Sequence, residues 1–312
     1  MTTTTLRRKR AKTYSVSEVS RGANLAINIF FWFYTVACVL PLLLILAVSF
    51  SDEQRVQLNG YKLWPEKFSL GAYDFLIKDW RPIVESYGVS LFVTIVGTFV
   101  ALAIMTLYAY PISRRDFKHR GIFTFIMFFT ILFNSGLVPF YLTYKQGLHL
   151  QDTMLVLMMP FFVQAFFVLL IRTFFQNSIP PALMESAKID GAGELRTFFQ
   201  IVLPLSLPVL ASVGLLCTMN LWNDWFNSLL FISPDGPMSI QFRMYRALLD
   251  IQYLSSNSQA YSAIMQANPN FRMPSETARM AMAVVGIGPI IFVYPFFQRY
   301  FITGLTVGAV KG

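Results

Sequence analysis

The chain has 312 residues, of which 55% are hydrophobic, 16% aromatic and 13% charged, and its formal charge is +9. The charged fraction is about half that of an average soluble domain, and the mean hydropathy of +0.53 excludes an ordinary water-soluble globule. Two cysteines and two histidines are too few for a disulfide framework or a histidine metal centre.

In chain order, the first element is a basic tail, residues 1–23, with Arg7, Arg8, Lys9, Arg10 and Lys12. It reads as a solvated segment near anionic lipid rather than a nucleic-acid site. An apolar run over about 24–50 follows. At about 27 residues it exceeds the core of a secretory signal, so it is expected to stay as a first membrane span despite the cleavage-like Ala47-Val48-Ser49. Further runs without Asp, Glu, Lys, Arg or His cover about 88–112, 121–143, 153–171, 203–223 and 280–298. Each is long enough to cross roughly 30 Å of hydrocarbon at about 1.5 Å per residue. The expected fold is therefore an all-α membrane protein with six transmembrane helices, and residues 24–312 form one membrane domain. Cys38 and Cys217 fall inside spans as small apolar residues; His119 and His149 are isolated loop residues.

Two outer loops are sizeable. The first, about 51–87, carries the turn and aromatic groups Asn59-Gly60-Tyr61 and Leu63-Trp64-Pro65, which suit a packed cap on the bilayer surface. The second, about 224–279, has a Ser233-Pro234-Asp235-Gly236-Pro237 turn and an amphipathic stretch near Met244–Tyr253 expected to lie on the membrane. Pro139, Pro160, Pro208 and Pro289 predict kinked spans.

Charge sets the orientation. With the N-terminus inside, the cytoplasmic segments hold 15 of the 25 Lys and Arg and 5 of the 16 acids, net +10, and the other side holds 10 and 11, net −1. That asymmetry predicts N-in, C-in. It places one long polar loop, 172–202, in the cytoplasm between the fourth and fifth spans. There Ser178 is expected to cap a short helix opening at Ile179-Pro180-Pro181, Gly191 to end it, and Glu194 to open a second segment running to Pro204. Two short helices joined at a glycine form a ridge that presents Glu185 to a cationic partner.

Glu185-Ser186-Ala187, Gly191 and Ile201-Val202-Leu203-Pro204 reproduce a spacing that resembles the signature loop of the inner-membrane permeases of binding-protein-dependent ABC importers, with Ser186 in place of the usual first alanine. Ser113-Arg114-Arg115, Trp222-Asn223-Asp224 and the terminal Gly304–Gly312 resemble the maltose-type, carbohydrate-uptake branch. Phe133-Asn134-Ser135-Gly136-Leu137-Val138-Pro139 and Tyr294-Pro295-Phe296-Phe297 are similar to its permeases for complex oligosaccharides.

The resemblance implies a cytoplasmic coupling helix that sits in a cleft of an ATP-binding subunit. Glu185 would be the polar contact and Gly191 the turn, while Ala187 would permit close packing; Ser186, Asp190, Ile201, Leu203 and Pro204 complete the loop. It also implies the partners: a second homologous permease, two ATP-binding subunits carrying ATP and Mg, an extracytoplasmic solute-binding protein and an oligosaccharide substrate. The terminal Gly308–Gly312 would reach the ATPase subunits.

The residues themselves leave the energy to another polypeptide or to an ion gradient. None of the nine lysines follows a glycine, so no phosphate-cradling Gly-Lys loop exists on this chain, and neither a cofactor nor a catalytic residue is expected. The spans lack the ionisable groups of a proton-coupled carrier. A sugar path needs amides or carboxylates beside aromatic faces, and Asn134, Gln164, Asn220, Trp222, Asn223, Asp224 and Trp225 offer that mixture. Interhelical hydrogen bonding and an interfacial aromatic belt are the structural alternatives for the same residues. The functional expectation is a multi-pass permease of the cell membrane, not itself an enzyme. The alternatives are an ABC permease for a non-sugar solute such as a peptide, and an ion-coupled secondary carrier.

Overall fold

The computed structural model describes residues 20–78, 80–267, 276–288, 290, 291 and 295. The basic run at Arg7–Lys12, Pro289, most of the expected sixth span beyond 291 and the terminal Gly304–Gly312 lie outside the described residues.

Helices account for the described chain, and its one extended pairing is the isolated bridge between Ser51 and Phe68. Helix α1 (Arg21–Ser49) starts where the Ser20 hydroxyl accepts from Ala23 N at 3.3 Å. Its apolar side chains stay exposed until its last turn, where Val48 and Ser49 become buried. The short α2 (Glu53–Asn59) and α3 (Gly71–Lys78) follow, fastened to α1 by Ser49 Oγ and Tyr73 OH at 2.9 Å.

The central element is α4 (Trp80–Ser113), 34 residues long and eight residues longer at its start than the apolar run. Polar residues at its head end are admitted because they pack on protein. Ser90 Oγ accepts from Ile240 N at 2.8 Å, and Ser86 Oγ from Arg243 Nε at 2.5 Å.

Three bent helix pairs follow in place of single rods. The pair α5 (Arg120–Leu132) and α6 (Leu137–Leu142) with its π-helical extension Thr143–Gly147 bends by 115°. Gly136, with φ +80°, makes that corner, a conformation that glycine adopts at little cost. Helix α7 (Met154–Met158) continues through the 3-10 turn Met159–Phe161 and meets α8 (Ala165–Ser178) at 48°. Two short helices follow, α9 (Pro181–Ile189) and α10 (Glu194–Thr197). From α10 the chain passes through a π-helical stretch, Phe198–Val202, into α11 (Leu203–Leu205) and then turns by 78° at Ser206 into α12 (Leu207–Trp222). Pro160 and Pro208 lie at two of these breaks, as a ring without an N–H requires.

Among the described residues, two helices are long and apolar enough to cross a membrane, or up to five if each bent pair is one span. After α12 come α13 (Phe226–Phe231), α14 (Ile240–Ser256) and α15 (Ser258–Ala267). A further helical stretch begins at 276.

Side chains of α4, α8 and α12 form the inner core, including Ala101, Met105, Val168, Ile171, Val213 and Cys217. Gly97 allows that closeness: a Cβ there would lie 3.0 Å from Leu221 Cδ1 and 3.3 Å from Met158 Cγ, the role small residues play between membrane helices. The expectation that 244–253 lies on the membrane is corrected. Helix α14 buries Ile240, Met244 and Ile251 against α3, Trp222 and residues 278–282, because its apolar stripe finds protein before lipid.

Candidate functional site

The polar loop is built as a clamp. Helix α9 begins at Pro181, with Pro180 in an extended conformation as its cap residue. Ser178 instead ends α8, so the expected Ser178 cap does not form; the residue before a proline is driven out of the helical region and Ile179 is used there. Gly191 sits at φ +75°. Its N–H bonds Lys188 O at 3.1 Å, and Ala192 N bonds Ala187 O at 2.9 Å, which satisfies carbonyls that a helix end leaves open. The chain can then reverse into α10.

Arg114, just past the end of α4, holds the two halves of the loop together. Its Nε and Nη2 donate to the two Asp116 oxygens at 2.9 and 2.7 Å. Its Nη1 donates to Tyr110 OH at 3.1 Å and pairs with Glu194 Oε2 at 3.2 Å. Tyr110 OH donates to the same Glu194 oxygen at 2.8 Å. Lys188 completes the ring, 2.7 Å from Asp116 Oδ2 and 3.8 Å from Glu194 Oε1. The Arg114 side chain is only 10% exposed, and such a bidentate pair is geometrically demanding.

Hydrogen bonds from Arg114 and then Lys188 hold the Asp116 carboxyl well below the usual carboxylate range, and Asp116 raises Arg114 in return. Arg172 Nε and Gln176 Nε2, on α8, bond the carbonyls of Ile112 and Ser113, each at 3.2 Å. Helices α4, α8, α9 and α10 are thus one unit at this end of the bundle.

What remains on the outside of the ridge is selective. Glu185 and Asp190 are exposed, and neither belongs to an ion pair among the described residues. Beside them Ile189 is 86% and Leu195 70% exposed. These two apolar residues were not singled out from the sequence; their signal was a large aliphatic side chain on each side of the glycine turn.

Ala187 is buried within the chain at 5% exposure, so the close packing it permits is internal. Ser186 Oγ bonds Leu183 O at 3.1 Å. Ile201 and Leu203 are half-buried and Pro204 exposed.

A second constellation lies at the far end of α12. A cavity of about 400 Å³ is lined by Phe161, Met219, Asn220, Asn223, Asp224 and Trp225, among others. Asn220 Nδ2 donates to Gln164 Oε1 at 3.2 Å, while the buried Gln164 Nε2 has no partner among the described residues. Asn223 Nδ2 donates to Met219 O at 2.9 Å, and Asp224 Oδ1 accepts from Asn227 N at 3.3 Å. Burial pushes the Asp224 carboxyl up. Trp225 stacks on Tyr245 with centroids 4.5 Å apart.

Four of the seven expected pathway residues therefore share this cavity, and Gln164 touches one of them. Trp222 does not line it: it is buried, and its Nε1 donates to Gly286 O at 3.2 Å. Asn134 lies at the α5–α6 corner, its Oδ1 accepting from Gly136 N at 2.8 Å. No group of three or more His, Cys, Asp or Glu suited to a metal ion exists among the described residues.

Comparison with known proteins places the chain in a family. Residues 24–307 match the family model described as binding-protein-dependent transport system inner membrane component. The chain is 38% identical to the polygalacturonan/rhamnogalacturonan transport system permease protein YtcP of Bacillus subtilis, over 94% of this chain and 99% of that one. It is 28% identical to the arabinooligosaccharides transport system permease protein AraQ of Halalkalibacterium halodurans, over 92% and 96% respectively. Among solved structures, a chain from a bacterial ABC transporter involved in the import of the acidic polysaccharide alginate superposes with a TM-score of 0.77 at 27% identity, covering 91% of this chain and 99% of that chain.

Proposed function

Because the chain belongs to the binding-protein-dependent transport system inner membrane components, we propose that it is the permease subunit of an ATP-driven importer of oligosaccharides. The relatives named for polygalacturonan/rhamnogalacturonan and for arabinooligosaccharides support the substrate class. In this reading residues 24–312 are one membrane domain with six spans and both termini in the cytoplasm, preceded by the basic tail 1–23. The surplus of Lys and Arg on one side supports the orientation. A second permease encloses the path with this one. Two ATPase subunits, which bind ATP and Mg, dock on the ridge, and an extracytoplasmic binding protein delivers the sugar.

The observation that carries this reading is the division of charge in the loop. Lys188 and Glu194 are consumed by Arg114 and Asp116, whereas Glu185 stands exposed beside Ile189 and Leu195. A surface with a free carboxylate flanked by bare aliphatic residues has the make-up of a docking anchor. When the ATPases close on ATP, they displace the ridge. Its ties to the end of α4 carry the displacement to α8 and α12, and so to the cavity of Asn220, Asn223, Asp224 and Trp225. There the amides and the Trp225 ring are the proposed sugar contacts, with the unpaired Gln164 Nε2 as a spare donor.

The test is uptake by proteoliposomes that hold the full complex, with ATP hydrolysis followed in parallel. Glu185→Arg and Gly191→Pro should lower sugar moved per ATP, or strip the ATPase from the purified complex, while the chain still inserts. Wild-type coupling in both variants sinks the docking assignment.

A further inference from the structure

At the same end of the bundle as the ridge, α5 and α8 leave an open groove of about 530 Å³ between them. Its walls include Arg120, Thr124, Phe125, Phe128, Arg172 and Gln176. Two guanidinium groups line it with no carboxylate, and neither arginine has an ion pair among the described residues. Arg172 is tied through Nε to Ile112 O at 3.2 Å, and its side chain lines the groove. Gly121 also lines the groove.

The groove is also graded along its length. Arg120 is the first residue of α5, and Phe125 and Phe128 follow it roughly 7.5 and 12 Å further along the helix. Both rings are exposed, 66% and 49%. Cationic head, then aromatic wall, in a segment apolar enough to sit in a bilayer, is the order of groups along a phospholipid.

We propose that this groove is a binding site for an anionic glycerophospholipid of the cytoplasmic leaflet, its phosphate held between Arg120 and Arg172 and its acyl chains against Phe125 and Phe128. The proposal rests on the cytoplasmic placement of the ridge given above. Charge complementarity selects the occupant: guanidinium binds phosphate through paired N–H donors, and basic pockets between helices on this side of a membrane are suited to acidic head groups. A zwitterionic lipid would bring its own cation to two existing ones. A helix of a second permease would have to supply a carboxylate at this level.

The experiment uses the intact complex with its partner subunits, exchanged into nanodiscs of phosphatidylglycerol or of phosphatidylcholine, with bound lipid counted by native mass spectrometry and uptake measured in matching vesicles. Phosphatidylglycerol should be retained and phosphatidylcholine lost. Arg120→Gln, at the exposed side of the groove, should weaken retention about five- to tenfold, as expected for one guanidinium–phosphate contact. Arg172→Lys, which keeps the charge but loses the fork, should weaken it less. Equal retention of both lipids, unchanged retention in Arg120→Gln, displacement of the lipid by millimolar inorganic phosphate, or crosslinking of a Thr124→Cys variant to the second permease would each overturn the site. A complex that transports sugar normally yet shows any of these loses only the lipid site. One that transports in neither vesicle type fails the permease reading itself.

Discussion

Gly191 is the residue on which the ridge turns, and its cost of replacement can be isolated. Its φ of +75° lies in the left-handed region, and a Cβ there would meet nothing within 4 Å, so substitution strains the backbone without a clash. Gly191→Ala should cost about 1–2 kcal/mol locally and reduce sugar moved per ATP, while Gly191→Asn, which tolerates that region, should retain more coupling. Parallel uptake and ATPase assays on the two variants check the order; equal behaviour would mean the turn geometry is immaterial. Asp116 makes a different demand. Its folded-state pKa is depressed by Arg114 and Lys188, so its contribution to holding the loop is fully present above the unfolded carboxylate value, near pH 4, and is lost as pH falls through the folded value. Between pH 5 and 8 the clamp should be insensitive to pH, and below about pH 4 wild type should lose ridge protection in hydrogen exchange while Asp116→Asn shows no such acid transition. The carboxylate is half exposed, so screening keeps the effect small.

At the scale of elements, the junction of α12 and α13 carries two tryptophans that the fold treats differently. Trp222 and Trp225 are three residues apart and equally plausible as sugar contacts in the sequence. In the fold one is buried under the helical stretch from 276, bonded to Gly286 O, and the other stacks on Tyr245 at the rim of the cavity. Trp222→Phe should therefore cost about 1 kcal/mol of stability from the lost hydrogen bond and leave the KM for sugar unchanged, whereas Trp225→Ala should raise that KM. Thermal melts beside initial uptake rates separate the two; a raised KM in Trp222→Phe would put it back in the path. The broken spans teach the same lesson. Pro139, Pro160 and Pro208 signal kinks in the sequence, but angles of 115°, 48° and 78° depend on which neighbour receives the second half.

For the whole molecule, the orientation has a direct test. Ser186 is exposed on the ridge and lies outside the charge network. In the variant Ser186→Cys with Cys38 and Cys217 replaced by Ala, a membrane-impermeant maleimide should label inverted vesicles and not intact cells. Labelling from the outside would reverse the topology, and with it the placement of the ridge and of the lipid groove.

The all-helical, membrane-type character was legible without coordinates, because a bilayer requires long charge-free segments and internally bonded backbone. Those demands are written in composition and spacing. The Glu185–Pro204 pattern was readable for the same reason: Gly191 is needed wherever the chain must turn with positive φ. Spacing along one chain does not specify which side chains from separate helices meet. Arg114 and Asp116 belong to one short loop, and Lys188 and Glu194 to another, 72 residues from Asp116 to Lys188; only the packing of α4 against α8 and α12 brings their charges within 4 Å. The same packing turned Ala187 and Trp222 inward and left Glu185, Ile189 and Leu195 outside. Local residue chemistry determined the elements and the turn, and long-range packing decided which of the exposed-looking groups are spent inside the protein and which are free for a partner.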